Sequence, residues 1–129
     1  MKIGVLISRI LLGLLFLIFG LNDFLHFIPT PPMPPSDGLT FATILMTHHY
    51  MAFIGGLMVV AGALLLTGRF IPLALVLLGP ILVNILLYHF LLNQSGAIIG
   101  VVATLLEVFL IWAYRLSFRG LFDATPEVS

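Results

Sequence analysis

The sequence predicts an all-α protein, a four-transmembrane-helix up-down-up-down antiparallel bundle. Hydrophobic residues make up 61% of the 129 residues and charged residues only 8%, which is far from an ordinary globular composition. Four apolar segments each reach the roughly 20 residues that cross about 30 Å of hydrocarbon. They are residues 3–27, 41–66, 70–92 and 97–118. Because two of the three connections are short, we expect neighbouring helices to run antiparallel within a single integral membrane domain, 1–129.

The first predicted helix carries a regular stripe that indicates a packing seam. Its members recur at alternating four- and three-residue steps, the spacing of residues that face a neighbouring helix. They are Arg9, Gly13, Phe16, Gly20 and Asp23. Asp23 is therefore predicted to face protein and not lipid.

A proline segment, residues 29–35, follows this helix and contains five prolines in seven residues. Proline lacks a backbone donor and disfavours helix in the residue before it. We therefore predict a stiff, extended connector on the external side.

Small residues mark the expected contact face of the second helix. Ala52 and Gly56 form a small-xxx-small pair, and Gly55, Gly62 and Ala63 extend the surface. Small residues let helices approach closely in lipid, where no hydrophobic effect acts between them.

The last two predicted helices each place a polar group among small or apolar residues. Pro80 should kink the third helix, because it leaves a carbonyl four residues earlier without its partner. In the fourth helix, helical steps from Gly96 through Gly100 and Ala103 reach Glu107. Glu107 is therefore predicted to lie on a packing face.

The five basic residues predict the orientation. They occur before or in the first helix, in the second connection and after the last helix, at Lys2, Arg9, Arg69, Arg115 and Arg119. By the positive-inside rule, both termini are cytoplasmic. The basic residues are not clustered along the chain, so the sequence gives no indication of nucleic-acid binding. The absence of cysteine excludes disulfides and thiol redox chemistry.

Polar residues of all four predicted helices fall in the outer half of the membrane or near its middle, by a rise of about 1.5 Å per residue. We predict that they line one ligand-binding pocket, which opens outward beneath the proline segment. The candidate residues are Asp23, His26, His48, His49, Asn84, Tyr88, His89 and Glu107. No catalytic role is assigned to any of them.

Several interpretations of this pocket remain open. The polar groups could satisfy one another, with Glu107 bonded to Asn84 or a histidine and Asp23 paired with His26. They could instead exchange protons with a quinone, or relay protons in a carrier that works as a homo-oligomer. A metal or haem site is disfavoured, because adjacent His48 and His49 point about 100° apart on a helix.

The glycine pattern resembles that of the DoxX family of small bacterial membrane proteins. The resemblance is carried by the stretch from Arg9 to Phe16 with Phe19 and Gly20, by Gly55-Gly56, by 63–68, and by His89 at the outer end of the third helix. It implies a four-helix subunit of the bacterial cytoplasmic (inner) membrane with a quinone connection. We therefore predict an accessory subunit that associates with other subunits of a quinone-linked oxidoreductase assembly in the lipid bilayer. The alternatives are a small carrier or proton-linked permease, and a purely structural subunit.

Overall fold

The computed structural model describes residues 1–129, and its regular secondary structure is entirely helical. The elements are α1 (Lys2–Leu25), α2 (Asp37–Thr47), α3 (Tyr50–Thr67), α4 (Ile71–Leu87) with a π-helical turn (Tyr88–Leu92), α5 (Ala97–Ala113) and a 3-10 helix (Arg115–Phe122). The predicted all-helical class is confirmed.

Three helical segments are long and apolar enough to cross a membrane: α1, α3, and α4 together with its π-helical turn. A fourth crossing is present if α5 and the 3-10 helix after it form one bent span. Large apolar side chains remain exposed along these helices, as expected for surfaces that face lipid. The chain is therefore a multi-pass membrane protein.

The spanning helices form a closed ring of contacts. α1 packs against α3 and α5, and α4 packs against the same two helices. The largest fully buried side chains between them are Leu12, Phe16, Leu65, Leu75, Leu78 and Leu110. α2 is too short to cross the bilayer, and it packs against α3 and the π-helical turn.

Glycines bring the backbones of α1 and α3 together at two levels. A Cβ atom built on Gly20 would lie 2.7 Å from the carbonyl oxygen of Gly55. A Cβ atom on Gly62 would lie 2.7 Å from the backbone nitrogen of Leu17 and 2.8 Å from the Gly13 carbonyl oxygen. The predicted seam on α1 is confirmed, because Gly13, Gly20 and Asp23 all lie in this contact.

The contact with α1 uses only part of the predicted small surface of α3. The close approach is made by Gly55 and Gly62, which are two helical turns apart, and not by the Ala52–Gly56 pair. A Cβ atom on Gly56 would meet nothing closer than Cζ of Phe24, at 3.8 Å. The predicted small surface is thus confirmed at Gly55 and Gly62, and it is wrong at Gly56.

The predicted second helix, 41–66, is divided in two. Ser36 caps α2 by accepting a hydrogen bond from the Leu39 backbone N–H (3.2 Å), and α2 ends at Thr47. His49 then adopts a left-handed backbone conformation, with φ 59°, before α3 begins. A residue in this conformation cannot continue a right-handed helix. Histidine adopts it more readily than most residues, so the break needs neither glycine nor proline.

The predicted fourth helix, 97–118, also ends early. α5 ends at Ala113, and the chain turns through 82° into the 3-10 helix. Arg115 holds the turn, since its Nη1 atom donates to the Trp112 carbonyl oxygen (2.9 Å) and its guanidinium lies 4.8 Å from the centre of the Trp112 ring. The 3-10 helix therefore crosses the direction of α5, and Phe118 is its one buried residue.

Candidate functional site

Glu107 is the one charged residue that is buried in the core. It lies in the middle of α5, where only 3% of its surface is exposed, and both carboxyl oxygens are buried without a hydrogen-bond partner. It faces α4, where a Cβ atom on Gly79 would lie 3.6 Å from Oε2. The predicted inward orientation is confirmed, but the acid is not bonded to Asn84 or to any histidine.

Asp23 occupies the last turns of α1 and is half-buried. Its Oδ2 atom is buried without a hydrogen-bond partner and would lie 2.9 Å from a Cβ atom on Gly55. A larger residue than glycine at position 55 would therefore displace the carboxyl group. The structure forms no hydrogen bond between Asp23 and His26.

The first three histidines lie on the surface at helix ends or at the helix break. His26 is exposed, and its backbone adopts the left-handed conformation, with φ 51°. Its backbone N–H donates to the Asn22 carbonyl oxygen (2.9 Å) where α1 ends. His48 and His49 are exposed at the break between α2 and α3. His26 and His49 thus each supply the left-handed residue at a helix boundary.

Asn84 is exposed on α4 and does not face the bundle interior. Its Nδ2 atom donates to the Pro80 carbonyl oxygen of the same helix at 2.9 Å. This bond uses one of the two amide donors and lies within α4, and the side chain makes no hydrogen bond to another helix. Its predicted inward position is therefore wrong.

Tyr88 and His89 form a polar cluster in the π-helical turn, at the C-terminal end of α4. The Tyr88 hydroxyl donates to the Gly38 carbonyl oxygen (3.0 Å), which ties the start of α2 to this turn. Nδ1 of His89 lies 3.2 Å from the Asn93 carbonyl oxygen and 2.9 Å from that of Ser95. Since carbonyl oxygens only accept, Nδ1 must carry the proton. In the neutral ring, Nε2 is then free to accept a hydrogen bond.

The eight predicted residues therefore do not line one shared pocket. Glu107 faces Gly79, and ten residues of helix separate Gly79 from His89, a distance of about 15 Å by helical rise. A single small head group cannot contact both. The structure contains a buried acid between α4 and α5, a second acid between α1 and α3, and a polar cluster at the end of α4.

Two cavities lie elsewhere, and the sequence pattern did not predict them. One of about 560 Å³ lies at the basic end of the bundle, next to Arg9, and one of about 410 Å³ lies between α1 and α5. Neither is lined by any of the eight residues. No three histidine, aspartate or glutamate side chains converge as metal ligands.

Compared with family models, curated proteins and solved structures, the chain matches none of them. The resemblance to the DoxX family therefore stays a prediction, and the functional interpretation depends on the geometry of these groups.

Proposed function

We propose that the chain crosses the bacterial inner membrane four times, up-down-up-down, with both termini in the cytoplasm. Contacts along the α1–α3 seam support opposite directions for these helices, because the outer part of α1 (Gly20) meets the start of α3 (Gly55) and Arg9 meets Gly68 at its end. The bend after α5 brings Arg115 to the end that holds Lys2 and Arg9. The basic residues thus gather at one end, as the positive-inside rule requires of a cytoplasmic face.

Fusions to reporters check this orientation. A reporter that is active only in the cytoplasm should give signal when attached after Ser129, and one active only in the periplasm should give signal when inserted in the proline segment. The reverse pattern of signals would contradict the proposed topology.

We propose further that this protein is an accessory subunit of a quinone-linked membrane oxidoreductase assembly. The observation that carries the proposal is the state of Glu107, a buried acid whose two oxygens have no protein partner. A buried polar group without a partner costs roughly 1–3 kcal/mol. Polar groups that served only to satisfy one another would have formed their hydrogen bonds within the bundle.

A quinone would supply the hydrogen-bond partner that Glu107 lacks within the protein. Its ring carbonyls accept hydrogen bonds, its reduction takes up protons, and its apolar body is compatible with the apolar composition of α4 and α5. In this proposal Glu107 donates to a quinone oxygen and exchanges a proton with it. The electrons come from partner subunits, so the chain binds and positions the quinone without being the electron donor.

Replacing Glu107 by methionine should lower the amount of bound quinone. Methionine has a similar length but no donor, and loss of a hydrogen bond worth about 1 kcal/mol weakens binding about fivefold. The measurement is organic extraction of gently purified protein, with quinone quantified per chain. Glu127→Met, in the exposed tail, is the matched control.

Unchanged quinone content in the Glu107→Met protein would contradict the proposed site. Glu107→Gln separates binding from proton exchange, because its amide still donates to a quinone oxygen but cannot release a proton. It should retain quinone and slow quinone turnover of the assembly. A carrier would instead move a solute or protons in proteoliposomes that contain no redox partner.

A further inference from the structure

The cavity of about 560 Å³ at the basic end of the bundle has the lining of an anion site. It lies where α1 begins and α5 ends, and its lining includes Lys2, Arg9 and Arg115. Trp112 and Tyr114 are the aromatic members, and no carboxylate is among the lining residues. Three cationic side chains therefore share one cavity without a protein counter-ion.

Arg9 is the most constrained of the three. It is half-buried within the spanning segment of α1, and its Nε atom is buried without a hydrogen-bond partner. The loop after α3 lies directly against it, since a Cβ atom on Gly68 would be 2.9 Å from Nη1 and 3.3 Å from Cζ. Gly68 also has φ 73°, so this approach depends on glycine in two ways. A cation fixed at this depth is costly unless an anion reaches it.

Arg115 faces the same cavity from the start of the 3-10 helix and is fixed independently. Its Nη1 atom donates to the Trp112 carbonyl oxygen, and the Trp112 ring lies under its guanidinium. The hydrogen bond to Trp112 uses one of the five donors of the guanidinium, and the others remain for a ligand. Two guanidinium groups held by surrounding backbone and ring contacts suit the several oxygens of a phosphate group.

We propose that this cavity binds the phosphate head group of an anionic phospholipid. Apolar side chains, including Val5 and Leu6, form the rest of the lining, and Leu6 is exposed on the lipid-facing surface of α1. Tryptophan and tyrosine are the residues that favour the level of lipid head groups. Basic pockets between helices at the cytoplasmic side are suited to such lipids. The site is separate from Glu107 and does not depend on the proposed quinone function.

The test measures lipid binding to the full-length chain. Delipidated protein in mild detergent is titrated with phosphatidylglycerol, with phosphatidylcholine and with inorganic phosphate, and bound lipid is counted by native mass spectrometry while the unfolding temperature is recorded. We expect phosphatidylglycerol to be retained and to raise the unfolding temperature, and the other two to have little effect. Equal stabilisation by inorganic phosphate or by phosphatidylcholine would overturn the proposal.

Variants assign the binding to these side chains. Arg9→Gln should weaken phosphatidylglycerol binding at least tenfold, and the Lys2→Gln, Arg115→Gln double variant should do so without touching the helix seam. Arg119→Gln removes an exposed basic residue that does not line the cavity, and it should bind as the unaltered chain does. If the double variant folds and binds phosphatidylglycerol as tightly as Arg119→Gln, the proposal fails, even where Arg9→Gln is too unstable to purify.

Discussion

Replacing Gly62 by alanine is expected to destabilise the bundle by about 2–3 kcal/mol, in the range measured for inserting a methyl group into a packed interior. The added methyl group would meet the backbone nitrogen of Leu17 at 2.7 Å and the carbonyl oxygen of Gly13 at 2.8 Å. Neither atom can rotate away as a side chain does. The two helices must therefore separate, and the neighbouring Gly20–Gly55 contact opens with them.

Gly56→Ala is the matched control, because it makes the same chemical change on the same helix. Its methyl group would lie 3.8 Å from Phe24, an ordinary contact distance. Alanine also favours helix over glycine by up to about 1 kcal/mol, so this variant should be neutral or slightly stabilised. Unfolding in mixed micelles with rising SDS content, followed by circular dichroism, gives both values. Equal stabilities for the two variants would show that the α1–α3 contact is not a close crossing of backbones.

The α1–α3 crossing shows what a periodic pattern can predict. The spacing of Gly13 and Gly20 placed one face of α1 in the seam, because a helix turns through a fixed angle per residue. The same stepping placed Glu107 on the face of Gly100 and Ala103, and all three are buried. On α3 the prediction included both Gly55 and Gly56, because both fit a small-residue motif, and only Gly55 lies in the close contact.

The break between α2 and α3 shows what the pattern cannot predict. Residues 41–66 are continuously compatible with helix, and the left-handed His49 carries no local signal such as glycine. Contacts from distant parts of the chain accompany the break. The Tyr88 hydroxyl bonds to the Gly38 carbonyl oxygen, and a Cβ atom on Gly38 would lie 2.8 Å from the Leu92 carbonyl oxygen. These contacts hold α2 against the π-helical turn at the end of α4.

The prediction of a single pocket for the eight polar residues differs from the structure for a related reason. Helical rise gave approximate depths but did not determine which polar groups meet. Asn84 donates a hydrogen bond to the Pro80 carbonyl oxygen of its own helix. The position of a residue along a helix does not predict such a bond. The unpartnered state of Glu107 and Arg9 could not be read from the sequence either, because it depends on which atoms surround them.

Replacing Glu107 by methionine is expected to stabilise the protein by about 1–3 kcal/mol, the cost attributed to a buried polar group that lacks a partner. Methionine is unbranched, of similar length and flexible enough to fill the space beside Gly79. It also favours helix about as well as glutamate does. Unfolding in SDS-containing micelles measures the change, and Glu107→Gln should show little of this gain because its amide remains buried and polar.

The direction of this change distinguishes the competing interpretations of the polar core. If Glu107 held the bundle together through hydrogen bonds, methionine would remove them and lower the free energy of unfolding. If the acid instead serves a ligand, the Glu107→Met protein should be more stable and contain less quinone. A gain in stability together with a loss of binding is the pattern expected of a functional group kept at a cost to the fold. A less stable Glu107→Met protein would mean that the acid has an unseen structural partner, and the argument for a quinone at this position would lose its basis.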